Sequence, residues 1–149
     1  MPFTALEKFF DLVGDEYGGP GIPQREEQRG EYESGTVTLD SVPWRVRTAR
    51  LTPKKPGAFV AVWQRDETGE TRPFASGEAI AGLLVFVLEG ERFGVFRFTA
   101  EQLKDIGVTS SSTHAGKRGF RVYPSWSTNL NRQATRTQAE QSPAFTRLS

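Results

Sequence analysis

Between Phe3 and Val13 the apolar residues Phe3, Leu6, Phe9, Phe10 and Val13 recur at helical spacing. That period predicts a short amphipathic helix whose Phe-rich stripe belongs to a core. Thr4 followed by Glu7 has the form of a capping box, and Gly14 supplies a stop. Gly18 to Pro23 cannot continue a helix and reads as a loop.

From Tyr32 the period falls to two. Val37 and Leu39 alternate with Thr36 and Thr38, and Asp40-Ser41 makes a turn. Val42 to Leu51 returns as a strand, with Trp44, Val46 and Thr48 on one face and Arg45, Arg47 and Ala49 on the other. Pro53 to Gly57 is a turn carrying Lys54 and Lys55 at its tip, and Phe59 to Gln64 is the next strand. Leu83 to Leu88 is a continuous apolar run, the signature of a central strand, and Arg92 to Phe98 follows it after Gly90. Thr99 and Gln102 repeat the capping pattern ahead of a helix over Ala100 to Ile106. Phe120 to Tyr123 reads as a last short strand and Asn129 to Gln141 as a polar surface helix, while residues 142–149 are expected to form a loosely ordered tail. The expected fold is α+β: one domain over residues 1–149, with a mainly antiparallel twisted sheet, its strands in a meander, and helices on one face.

Composition narrows the class. A chain of 149 residues with 36% hydrophobic and 25% charged residues supports one globular core. The absence of cysteine excludes disulfides, iron–sulfur clusters, thiolate zinc and cysteine nucleophiles. Glu7, Lys8 and Asp11 interrupt the first residues, so no secretory signal is expected. The longest apolar run, Ala79 to Leu88, is about half of a membrane span. These features lead to the expectation of a cytoplasmic protein with no membrane partner.

Charge changes the picture more. Residues 1–35 carry eight acids against three bases, and residues 66–105 eight against four. Residues 36–65 reverse this with one acid and six bases, as do residues 106–149. The net charge of +1 therefore hides two basic segments, each able to create a local field.

Several chemistries lack their residues. His114 is the only histidine and no G-x-S-x-G elbow accompanies it. Ala115-Gly116-Lys117-Arg118 lacks the first glycine of a phosphate loop, where Ser111 stands, and no dinucleotide fingerprint or metal-ligand spacing occurs. No cofactor is expected. A metal-dependent nuclease of the restriction-enzyme type would use Glu31, Asp40 and the run Gln64-Arg65-Asp66, but Asp66 stands where its lysine belongs. The basic residues are more coherent. Arg45 and Arg47 share a strand face and lead to Lys54 and Lys55; Lys117, Arg118 and Arg121 surround a strand bearing Tyr123 and leading to Trp126; Arg132 and Arg136 continue into the tail with Asn131, Gln133 and Gln138. Such residues suit phosphates, base edges and stacking on unpaired bases, so a nucleic-acid partner is expected. The opposing reading has Tyr123 and Trp126 plugging a core edge while the arginines pair with the acidic segments.

The stretches Glu31 to Gly35 and Thr52 to Val60, with Trp63, Pro73-Phe74 and Phe93 to Phe96, resemble the MepB-like family. The most specific part is Gly116-Lys117-Arg118-Gly119-Phe120-Arg121-Val122-Tyr123-Pro124-Ser125-Trp126, followed by Asn131 to Gln138, so that the likeness spans about 31–138. The resemblance implies a bacterial cytoplasmic protein, one relative being encoded beside a multidrug efflux pump and its repressor. It also implies that the basic loop, Tyr123, Trp126 and the basic tail act as one pattern. The combined expectation is a non-enzymatic polyanion-binding, nucleic-acid-binding protein. The alternatives are the nuclease above and an efflux accessory that takes a protein or small molecule in a groove walled by Trp44, Trp63 or Trp126.

Overall fold

The apolar run Leu83–Leu88 lies in β8 (Gly82–Glu89), where Leu83, Val85 and Val87 enter one core and Leu84 and Phe86 another. A strand covered on both sides has no polar face to show, which is why its sequence does not alternate. The structure, a computed structural model, describes residues 3–17, 19, 21–26, 32–76 and 80–149. β9 (Arg92–Thr99) pairs antiparallel with β8 over its whole length, sending Phe96 and Phe98 to the first core and Phe93 and Val95 to the second.

Around this pair stands a six-stranded sheet. It contains β1 (Gln24–Arg25), β2 (Gly35–Leu39), β3 (Val42–Thr48), β8, β9 and the C-terminal β11 (Phe145–Arg147), in the order β1-β2-β3-β8-β9-β11. The β2–β3 hairpin turns through Asp40 and Ser41, whose φ values of 49° and 67° are those of a type I′ turn. All pairs are antiparallel except β3–β8, which is parallel, with Arg45 opposite Leu83. The expected meander therefore breaks after β3. At Ala49, whose N–H bonds the Phe86 carbonyl at 2.9 Å, the chain leaves the large sheet. It then forms β4 (Arg50–Thr52) and β5 (Lys55–Ala61), which join β10 (Gly119–Val122) in a second sheet of order β10-β5-β4. A short hairpin of β6 (Gln64–Arg65) and β7 (Thr71–Arg72) follows.

The first core lies between the two sheets, closed by Leu103 of α2 (Ala100–Asp105) and by Phe74 and Val108. The second lies under α1 (Thr4–Val13), which delivers Leu6 and Phe9. The α+β class and the mainly antiparallel pairing are as expected, but the helices divide between the faces of the large sheet instead of gathering on one. The reason is that β8 and β9 present apolar residues to both sides, and both need cover.

The α2 capping box forms as predicted: Thr99 Oγ1 accepts from the Gln102 N–H at 3.2 Å and Gln102 Oε1 from the Thr99 N–H at 2.9 Å. The α1 box does not form. Its N-cap is Phe3, without a side-chain cap bond, and the Thr4 and Ala5 N–H groups donate to the Glu33 carboxylate at 2.8 and 3.2 Å. Thr4 Oγ1 and Thr48 Oγ1 donate to the same carboxylate at 2.6 and 2.7 Å. Burial raises the Glu33 pKa, but these hydrogen bonds outweigh it and hold the group below its ordinary value of 4.5. A depressed folded pKa gives stability that is present above the ordinary value and lost as pH falls through the folded one. Urea denaturation at pH 7 and below pH 4 should therefore show a smaller acid-induced loss in Glu33→Gln than in the parent chain; equal losses would assign the acid sensitivity elsewhere.

Residues 142–149, expected to be loosely ordered, instead form a 3-10 turn (Ser142–Ala144) and then β11, which pairs Phe145 with Phe96. Phe145 anchors it: its ring lies 4.7 Å from that of Phe96 and 5.5 Å from that of Trp126. A single aromatic in a polar tail gives too short a pattern to be read as a strand.

Candidate nucleic-acid interface

Ala58 and Val60 of β5, with Phe120 and Val122 of β10, face the inter-sheet core. Alternation sends their neighbours outward, and the register sets Arg50, Phe59 and Arg121 directly opposite one another across the three strands. Two glycines receive aromatic rings on this outer face. A Cβ on Gly119 would collide with Phe59 Cζ, and one on Gly57, at a φ of +77°, would lie 2.7 Å from Tyr123 Cδ1. Arg121 Nη2 donates to Thr52 Oγ1 at 2.6 Å and to the Pro56 carbonyl at 3.0 Å, which ties β10 to the β4–β5 hairpin. Lys54 and Lys55 are exposed at the tip of that hairpin, and Lys117 and Arg118 at the entry to β10.

The free edge of β10 is covered by a side chain. Gln141, 2% exposed at the end of α3 (Arg132–Gln141), accepts from the Tyr123 N–H at 2.9 Å and donates to the Arg121 carbonyl at 2.8 Å. Gln138 Nε2 donates to the Pro124 and Ser127 carbonyls at 2.8 and 3.2 Å. The two glutamines hold α3, with exposed Arg132 and Arg136, against the Gly116–Trp126 block.

Residues 41–65 contain six bases and no acid, and residues 106–139 five bases and no acid. The first stretch supplies β4 and β5 and the second β10. The small sheet is thus free of carboxylates in all three strands, which gives its outer face a positive field.

Arg45 and Arg47, expected to meet phosphates along a sheet, are the correction. Their face of β3 is the one the small sheet covers. Arg47 is completely buried; its Nη1 donates to Glu26 Oε1 at 2.6 Å and to the Val46 carbonyl at 2.8 Å, and its Nε to the Ala61 carbonyl at 3.3 Å. Burial pushes its guanidinium below the ordinary value, against the opposing pull of Glu26. Arg45 pairs with Glu26 at 3.1 Å and lies 3.5 Å above the Phe74 ring. For these two residues, pairing with the first acidic segment holds. Trp126 also has a packing role: its indole N–H donates to Glu89 Oε1 at 3.2 Å, and Phe145 and the Arg147 guanidinium each lie 5.5 Å from its ring. It forms one wall of a groove of about 530 Å³ that also contains Thr52, Lys55 and Arg92. Trp44 is buried in the second core, so it and Trp126 belong to different layers.

Two of the nuclease residues, Asp40 and Asp66, lie in the turns of different hairpins. Asp40 sits in the β2–β3 turn. Asp66 caps the β6–β7 turn, accepting from the Thr68 hydroxyl at 2.6 Å and from the Thr68 and Glu70 N–H groups, which hold its carboxyl below its ordinary value. Glu31 lies outside the described residues. Among the described residues, no three His, Asp or Glu side chains gather as metal ligands.

A model of the family described as MepB-like matches residues 26–147. The chain belongs to the MepB-like family. The crystal structure of MepB superposes with a TM-score of 0.81 at 32% identity, covering 85% of each chain. None of the curated proteins matches. The MepB-like match begins at Glu26, the partner of both inward arginines, and ends at Arg147 in β11, so it takes in the tail strand. No helix among the described residues of this MepB-like chain is long and apolar enough to cross a membrane.

Phe59, Arg50 and Gln141 were not among the expected site residues. The alternation of β5 was enough to place Phe59 outward. Arg50 depends on the bend at Ala49, and Gln141 on a helix docking against a strand edge; neither leaves a local pattern.

Proposed function

We propose that this MepB-like protein binds single-stranded nucleic acid across the outer face of its small sheet, in a bacterial cytoplasm. The observation that carries this reading is the pairing of two acid-free basic segments into one sheet, with Phe59 and Tyr123 among Arg50, Lys55 and Arg121. Phosphates need cations, and unpaired bases need flat apolar or guanidinium surfaces. A sheet face offers both at strand spacing, and stacking on its aromatic rings requires bases released from a duplex.

Fluorescence anisotropy with a labelled oligothymidylate over increasing salt tests this. Each phosphate contacted contributes a log–log slope of roughly −0.7. Lys54→Gln/Lys55→Gln should reduce the slope by about 1.4, the sum for two phosphates. Phe59→Ala should weaken binding by roughly tenfold with less effect on slope, the cost of losing one stacked base. Absence of binding at low salt, or binding indifferent to salt, rejects the reading. The groove beside Trp126 favours a second one, an accessory that takes a small molecule, because about 530 Å³ is within the range of ligand pockets. A small-molecule partner would leave the oligothymidylate unbound.

A further inference from the structure

Next to the sheet face, between α3 and β10, is a groove of about 310 Å³. Arg121 and Tyr123 belong to both, so a strand crossing the sheet reaches the groove without leaving basic surface. Half-buried Ile106 supplies apolar lining, and Val108 and Phe120 border the groove from the inter-sheet core. Lys117 and Glu140 also line it; both are exposed, and among the described residues neither side chain is engaged in a salt bridge or hydrogen bond.

Glu140 is the feature that needs explaining. It is the only acid between residues 106 and 149. A carboxylate beside a surface that attracts phosphates weakens attraction at every nucleotide unless it makes a specific contact. A carboxylate accepts only and an ammonium donates only. Guanine alone among the bases presents two adjacent donors, N1–H and N2–H₂, that one carboxylate accepts together, and its O6 and N7 accept from the ammonium. Adenine can accept from Lys117 at N7 but offers Glu140 its amino group alone. Cytosine and thymine likewise offer Glu140 a single donor group, the N4 amino group and the N3–H.

We propose that the α3–β10 groove captures an unpaired guanine of the bound strand, with Lys117 and Glu140 as the residues that read it. This deepens the single-strand binding reading and rests on it.

The test uses the full chain and oligothymidylates carrying one central dG, dA, dC or abasic site, compared at fixed salt. The dG oligonucleotide should bind roughly fivefold or more tightly than the other three, the lower end of discrimination by a good pair of base contacts. Glu140→Gln should bring it to the affinity of the others. Equal affinity for all four overturns the guanine site and leaves the binding function standing. A dG preference that survives in Glu140→Gln also overturns it, because the reader then lies elsewhere. Failure of every oligonucleotide to bind at low salt rejects the parent reading and the guanine site with it.

Discussion

Replacing Arg47 with alanine is expected to lower folding stability by about 3–5 kcal/mol, the usual cost of breaking a buried ion pair from one side. The side chain is fully buried between the sheets and joins Glu26, β3 and the Ala61 carbonyl of β5. Its loss removes the hydrogen bonds to Glu26 and to the Ala61 carbonyl and leaves a cavity the size of an arginine stem. Arg47→Met should cost less, because it fills the cavity and Glu26 is not fully buried and keeps its contact with Arg45. Equilibrium urea denaturation of the three chains measures both differences. A loss below about 1 kcal/mol for Arg47→Ala would be the behaviour of a surface residue and would return Arg47 to the phosphate-binding set.

Gln141→Leu is expected to cost about 2–4 kcal/mol, because it strands two backbone groups at once. The Tyr123 N–H and the Arg121 carbonyl lie on the open edge of β10, and the Gln141 amide supplies the acceptor and donor that a neighbouring strand would have supplied. Leucine matches glutamine in bulk, so the loss reports hydrogen bonding more than volume. The specific readout is hydrogen exchange at the Tyr123 amide, which should lose protection before the rest of the sheet. Gln138→Ala, at a half-buried position, should cost about 1 kcal/mol. Equal protection of the Tyr123 amide in the parent and in Gln141→Leu would mean that β10 is held by its β5 partner alone.

Both predictions concern residues whose roles come from contacts distant in sequence, and that distance explains what was legible in advance. Period-two alternation, the unbroken run in β8 and the Thr99–Gln102 box are local patterns, and each became the expected element. The α1 cap departs from its local pattern because its acceptor, Glu33, lies 29 residues from Thr4. The partner strand of β3 has no local signature, because a parallel pairing requires a crossover and no short-range signal marks where the chain returns.

The candidate site divides along the same line. Two basic segments, the aromatic-bearing strand at Phe120–Tyr123 and the polar basic helix after it follow from the order of residues alone, because charge and hydrophobic period are properties of the chain. Which side of each strand meets water is a property of packing. Arg45 and Arg47 have the alternation of an exposed face, yet the second sheet covers them, while Arg50, three residues beyond Arg47, emerges on the outer face because the chain bends at Ala49. Concentrated positive charge is thus written into the order of residues. Packing of the second sheet settles which part of it Glu26 neutralises and which part lies on the outer face.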